Sequence, residues 1–183
     1  MQTNMANTTT WAFDPTHSEL TFKVKHLMIA NVKGEFRNFS AQLTTEGDDF
    51  SKATAQATID VTSIDTNNAD RDGHLKSGDF FDAENHPNIQ FASTSFQMFD
   101  AENGQLKGNL TIKGITNEVS LDVEFGGISQ DPWGNVKAGF SLSGKINRND
   151  FGLSWNAALE TGGVLVSEEV KLAAEIQFVK TIA

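Results

Sequence analysis

Residues 108–125 read GNLTIKGITNEVSLDVEF. Gly108, Leu110 and Ile112 alternate with Asn109, Thr111 and Lys113, and Val119, Leu121, Val123 and Phe125 alternate with Ser120, Asp122 and Glu124. A period of two puts the apolar side chains on one face of an extended strand and the polar ones on the other. The pattern recurs in both directions. Leu20, Phe22 and Val24 alternate with Thr21, Lys23 and Lys25, and Ala53, Ala55, Ala57, Ile59 and Val61 with polar residues. Further on, Val136, Ala138, Phe140, Leu142, Gly144 and Ile146 share one face, and Val170, Leu172, Ala174, Ile176 and Phe178 share another. Two less regular runs, near 34–43 and 89–97, complete a set of about eight strands.

Turn signals separate these runs: Glu-Gly-Asp-Asp at 46–49, Glu-Asn-Gly at 102–104, Gly-Gly at 126–127 and Asp-Pro-Trp-Gly at 131–134. Clear alternation with tight turns predicts an antiparallel meander. Several strands are long, and a long meander exposes its edges unless it closes on itself, so an all-β barrel is expected. Residues 66–82, TNNADRDGHLKSGDFFD, lack alternation. Asn67 or Asn68 is placed to cap a short helix between the third and fourth strands, lying across one end of the barrel. The stretch from Arg148 to Ser167, with Phe151, Trp155 and Leu159, reads as a long loop of the kind that forms a lid or cap. Residues 1–10 are expected to be a flexible tail and 11–183 a single domain.

The chain has 183 residues, and its 14 Lys and Arg against 24 Asp and Glu give a net charge of −10. That balance argues against nucleic acid as a partner and against electrostatic docking on anionic headgroups. A bound lipid would be held by its apolar tail. No stretch is long and apolar enough for a transmembrane helix. There is no cysteine, which excludes disulfides, thiolate catalysis and Cys-ligated zinc. The N-terminus lacks a basic region followed by an apolar one, so the expected compartment is the cytoplasm, or the periplasm if a leader has been removed. Fourteen Phe beside no Tyr suits a dry interior.

An eight-stranded barrel is just wide enough either to be filled by side chains or to hold one ligand. The inner face carries many small residues: Ala53, Ala55, Ala57, Gly108, Gly114, Ala138, Gly144 and Ala174. They leave volume unfilled unless larger neighbours interdigitate with them, and alternation leaves both readings open. On the cavity reading, Ala138→Trp or Gly108→Phe would block the interior without unfolding the barrel.

The segments that interrupt the strand pattern carry a resemblance. WAFDPTHSELTFKVKHL at 11–27, VKGEFRNF at 32–39, IDVTSIDTNNADRDGHLKSGDFFDAENHPNIQFAS at 59–93 and INRNDFGLSWN at 146–156 resemble the YceI-like family of polyisoprenoid-binding proteins, as does 108–125. The most specific run is ADRDGHLKSGDFFDAENHPNIQF, and the likeness spans essentially 11–180. It implies an elongated, lipocalin-like barrel of eight antiparallel strands. It also implies an interior tunnel for an isoprenoid lipid such as ubiquinone or polyprenyl phosphate, no further cofactor, and a homodimer as a common assembly.

The inward-facing candidates for holding a tail are Phe22, Val24, Phe36, Ile59, Phe91 and Leu110, followed by Phe125, Phe140, Leu142, Ile176 and Phe178. Candidates for the head or rim are His26, Arg71, His74 and Trp155. The cluster Asp70, Arg71, Asp72 and His74 suits a phosphate or quinone head, but reads more readily as ion pairs pinning the helix to the barrel. The histidines His17, His26, His74 and His86 have no ligand spacing, so no metal is expected. His86 reads as a turn residue. Trp11 and Trp133 suit a mouth or rim packing equally well. No nucleophile elbow, HExxH or phosphate loop is present, so the chain is not read as an enzyme. The enzymatic alternative is an isomerase or hydrolase using His74 and Asp72 as acid and base. The structural alternative is a solid barrel with no ligand.

Overall fold

The computed structural model describes residues 8–157 and 165–181. Among them, eleven strand segments form one antiparallel sheet that closes on itself where the first segment pairs with the last in sequence. They are β1 (Thr8–Phe13), β2 (Glu19–His26), β3 (Ala30–Phe36), β4 (Phe39–Glu46), β5 (Asp49–Asp60), β6 (Ile64–Asp65), β7 (Asn88–Met98), β8 (Asn103–Ile112), β9 (Ile115–Gln130), β10 (Val136–Asn147) and β11 (Val166–Lys180). One helix, α1 (Ala69–Lys76), follows β6.

The eleven segments make eight staves. β11 pairs with β2 along one part of its length and with β1 along the other, so β1 and β2 are halves of one interrupted stave. β3 pairs with β2 while β4 pairs with β1, and β6 pairs with β3 while β5 pairs with β4. The second and third staves are therefore broken as well. The remaining five, β7 to β11, are continuous, and each pairs with its neighbour in sequence. This is the eight-stranded closed meander expected from the alternation, with α1 between the third and fourth staves.

The first and third breaks have a local cause. Asp14 accepts from the Thr16 backbone N–H and hydroxyl (3.0 and 2.6 Å), and Pro15 opens a single 3-10 turn. Asp60 does the same with Thr62 (2.9 and 2.7 Å). A side-chain carboxylate that satisfies the next N–H offers the backbone an alternative to the ladder. The second and third breaks lie against each other, with Arg37 N–H donating to Ser63 O and Asp60 N–H to Asn38 O.

The domain starts earlier than the expected boundary at residue 11. Thr8, Thr9 and Thr10, assigned to a tail, belong to β1 and pair with Glu46, Thr45 and Thr44. A run of threonines has high strand propensity but no apolar alternation, so periodicity is blind to it.

The expectation for the small residues is also corrected in part. Ala53, Ala55, Ala57 and Ala174 do line open interior space. Gly108 and Gly144 do not: a Cβ at Gly108 would lie 2.4 Å from the Phe91 ring, and one at Gly144 2.6 Å from Leu121. There the larger neighbour has taken the room. Gly114 is in a turn at φ +77, and Ala138 is fully buried and borders neither cavity. Gly108→Phe would thus collide with Phe91 and the Ala92 carbonyl, and neither proposed blocking substitution is suitable.

Candidate binding tunnel

The barrel encloses two apolar chambers. The upper one, about 290 Å³, lies between the β2, β3 and β11 walls and the α1 end. The lower one, about 160 Å³, lies between β4, β5, β8, β9 and the far half of β11. Leu20, Ile59, Leu110 and Leu172 border both, so this group of aliphatic side chains stands at the junction between the chambers. For scale, an apolar cavity of roughly 150 Å³ holds a benzene ring and stays dry. A packed-solid barrel is not what the described residues form.

The lower end is plugged. Trp11 is 1% exposed and donates its indole Nε1–H to Thr45 Oγ1 at 2.9 Å, and Thr45 in turn donates to Gly47 O at 2.6 Å. Phe50 lies against Trp11, Phe125 and Phe140, with centroids 5.3, 4.9 and 5.6 Å away, and Phe125 stacks on Phe140 at 5.1 Å. Such ring contacts add to the burial of the rings themselves.

The upper end is capped by α1, by the turn after it and by the loop after β10. Asn68 caps the helix by accepting from Arg71 N–H at 3.0 Å, and Leu75 faces the chamber. Phe80 and Trp155 lie 5.4 Å apart, and the His74 ring stands edge-on to both, at 5.1 and 4.7 Å. His74 Nε2 is 2.9 Å from Asp79 Oδ2.

Two guanidiniums line the mouth. Arg71 donates Nε–H to Thr66 Oγ1 (2.7 Å) and Nη2–H to Thr66 O (2.6 Å). Arg148 is 4% exposed and donates to the carbonyls of Ser167 (2.8 Å), Trp155 (2.9 Å), Val166 (3.3 Å) and Leu153. Its burial lowers its pKa from the ordinary guanidinium value, and Glu168 partly offsets this. Neither arginine has a carboxylate within ion-pair distance among the described residues. The expectation that Arg71 pins the helix through ion pairs is therefore corrected: it pins α1 to β6 through Thr66. Asp72 takes the other polar groups of the same residue, accepting from Thr66 N–H (2.9 Å) and Oγ1–H (2.5 Å).

The enzymatic alternative required His74 beside Asp72, but Asp72 is committed to Thr66 and His74 to Asp79. Of the residues nominated for the tail, Phe22, Val24 and Phe36 border the upper chamber, and Phe91, Phe140, Leu142, Ile176 and Phe178 the lower. Ile59 and Leu110 border both. Phe125 borders neither, because it has been drawn into the plug. His26, Arg71, His74 and Trp155 all line the upper mouth. The three tryptophans separate: Trp11 in the plug, Trp155 at the mouth and Trp133 84% exposed on the β9–β10 turn. His86 accompanies the turn at 82–86, its N–H bonded to Asp82 O. Leu159 lies outside the described residues.

Sequence reading missed Arg148 and Phe80. Arg148 directly follows β10 and looks like a surface cation; only its carbonyl partners, from the loop after β10 and the start of β11, make it a wall residue. Phe80 sits in a segment without periodicity.

A closed antiparallel barrel with an apolar interior, plugged at one end and polar-rimmed at the other, belongs to the class of small ligand-binding barrels. The chain belongs to the YceI-like family: the model of the YceI-like domain matches residues 11–178. A UPF0312 protein of Staphylococcus epidermidis is 44% identical over 171 residues, covering 93% of this chain and 97% of the relative. Among solved structures, the Campylobacter jejuni YCEI protein superposes with a TM-score of 0.73 at 34% identity, over 86% of this chain and 90% of that one. BcnA of Burkholderia cenocepacia gives 0.77 at 25% identity, over 90% and 98%. A polyisoprenoid binding domain from Saccharophagus degradans shares the fold, with a TM-score of 0.65 at 16% identity over 93% and 98%.

Proposed function

We propose that this protein binds and carries or stores one isoprenoid lipid, with the tail in the joined chambers and the head at the α1 end. The observation that carries the reading is the pair of adjoining apolar chambers that share four lining residues, with aromatic rings below and polar groups above. An apolar chamber of about 290 Å³ with no occupant lacks contact partners for the side chains that line it. A branched apolar tail recovers those contacts, and burial adds about 25 cal/mol for each Å² removed from water. The polyisoprenoid binding domain of the same fold from Saccharophagus degradans supports the same ligand class.

The rim favours a polyprenyl phosphate over a quinone. Arg71 and Arg148 bring two positive charges without carboxylate partners to the mouth. The Arg148 donors are spent on carbonyls, while Arg71 keeps its Nη1 N–H groups free among the described residues, and a guanidinium recognises phosphate by paired hydrogen bonds. His74, Phe80 and Trp155 offer ring faces beside them. The arrangement binds rather than turns over: its one His–carboxylate pair lies at the rim and serves the cap. Native mass spectrometry of the purified protein, followed by extraction, tests the reading. A polyprenol derivative at about one per chain is expected. A mass unchanged after incubation with polyprenyl phosphates and quinones would overturn it.

A further inference from the structure

The outer wall beside the mouth carries a row of lysines. Lys145 on β10 pairs with Lys171 on β11, Lys171 with Lys23 on β2, and Lys23 with Lys33 on β3. Four adjacent staves thus present one lysine each at the same level, all four exposed. Like charges directly opposite in a sheet are destabilising. Of these four lysines only Lys145 has an ion pair among the described residues, to Glu169 at 3.8 Å. The chain carries −10 overall, yet from Leu20 to Gly34 it has Lys23, Lys25 and Lys33 and no Asp or Glu. The net charge, which argued against anionic surfaces, conceals this local reversal.

The same hairpin ends in an apolar tip. Leu27, Met28 and Ile29 are 40%, 52% and 86% exposed. Leu27 and Met28 hold φ of +55 and +63. Tight hairpin turns with both central residues in that region strongly prefer Asn-Gly, because larger side chains are strained there. Here strain and exposure are both accepted to place large apolar side chains at the point of the hairpin. The tip adjoins the tunnel: His26 borders the upper chamber, and Leu27 N–H donates to the carbonyl of Leu165, which also borders it. Lys23 to Met28 is five residues, at most about 17 Å of strand, so row and tip can rest on one surface.

We propose that this flank docks on an anionic bilayer, with Leu27, Met28 and Ile29 inserted between headgroups and the lysine row against their charge. Apolar side chains that enter the interface, backed by cations, are the chemistry of peripheral membrane binding. A soluble anionic polymer would use the lysines but leave the exposed apolar tip unexplained. Docking here sets the tunnel mouth against the bilayer that supplies or receives the lipid, so the purpose rests on the carrier reading. The vesicle test below does not.

The test is flotation of the full chain with phosphatidylcholine vesicles, with and without about a third phosphatidylglycerol. Binding is expected only with the anionic lipid, and is expected to weaken as salt is raised. Lys23→Gln, Lys33→Gln, Lys145→Gln and Lys171→Gln combined should lower the partition at least about tenfold, since each cation near such a surface contributes roughly fivefold. Removing like-charge neighbours should leave the melting temperature equal or higher, so a loss cannot be blamed on unfolding. Ile29→Asp, at a site that is almost fully exposed, should lower it several-fold. The inference is overturned if neutral and anionic vesicles bind alike, if neither binds, or if either variant partitions like the parent. A protein that carries lipid but ignores vesicles refutes this inference alone, and one that floats with anionic vesicles but carries no lipid refutes the carrier reading alone.

Discussion

At the closed end of the barrel Trp11, Phe50, Phe125 and Phe140 meet ring against ring, and the one indole N–H finds Thr45. At the open end the aromatic residues Phe80 and Trp155 share their space with His74, Arg71 and Arg148, and no strand crosses the gap. The closed end is made by continuous sheet and side chains that fill one another's hollows. The open end is assembled from a short helix, turns and a returning loop held by an arginine bonded to carbonyls. One sheet thus has a stable base and a cap built from segments with few ladder bonds, which is where local opening costs least. The difference separates what folds the barrel from what would admit a ligand.

Truncating the base should have the largest effect. Trp11→Ala removes the least exposed large side chain of the plug and leaves Thr45 without its donor. A loss of about 3–5 kcal/mol is expected, read by urea denaturation, while the folded fraction keeps its lipid stoichiometry. A loss below about 1 kcal/mol would mean the plug is dispensable and the two ends are not different in kind.

Filling the lower chamber should spare stability and change binding. Ala57 borders that chamber two residues from Ile59, where the chambers meet. Since one benzene ring occupies roughly 150 Å³, Ala57→Phe places a ring where about 160 Å³ is open. The melting temperature should shift by no more than a few degrees, roughly 1 kcal/mol. Long-tailed lipids should bind at least about tenfold more weakly, a cost of about 1.4 kcal/mol, while short-tailed ones bind as before. Undiminished binding of long-tailed lipids would show that the tail does not reach past the junction.

These choices also show which parts of the molecule were legible in its sequence. Eight staves and their inward faces could be read because alternation is a local property of the strand, and Phe22, Ile59, Leu110 and Ile176 project inward accordingly. Phe125 obeys the same alternation yet belongs to the plug, since depth along the barrel depends on stave length and register, which periodicity does not carry. Gly108 and Gly144 misled for a related reason: whether a small residue leaves a hole depends on the neighbour across the strand, here Phe91 and Leu121. The mouth residues were nominated from the motif that breaks the pattern, but their partners were not foreseen. Arg71 chose a threonine over the adjacent carboxylates, and Arg148 became a wall residue only through a loop that returns from β10.

The smallest expected effect lies at the seam between the two halves, where Asp14 joins β1 to β2. Its carboxyl is held down to about 2, chiefly by the Thr16 hydroxyl, against an opposing contribution from burial and with further help from His17 and the Thr16 N–H. A folded value below the unfolded one near 3.9 means the carboxylate stabilises the fold at neutral pH. That contribution should fade as the pH falls from about 4 toward 2 and be absent below. Asn keeps a capping oxygen but not the charge, so Asp14→Asn should cost only about 1 kcal/mol or less at pH 7, with the gap to the parent closing in acid. Asp14 borders neither chamber, so lipid affinity at pH 7 should stay the same. A variant as stable as the parent at pH 7 would show that the bend of the first stave is set by Pro15 and the sheet, not by this cap. An affinity loss without a stability loss would mean that the seam governs the width of the mouth, and that the two ends are coupled through the broken staves.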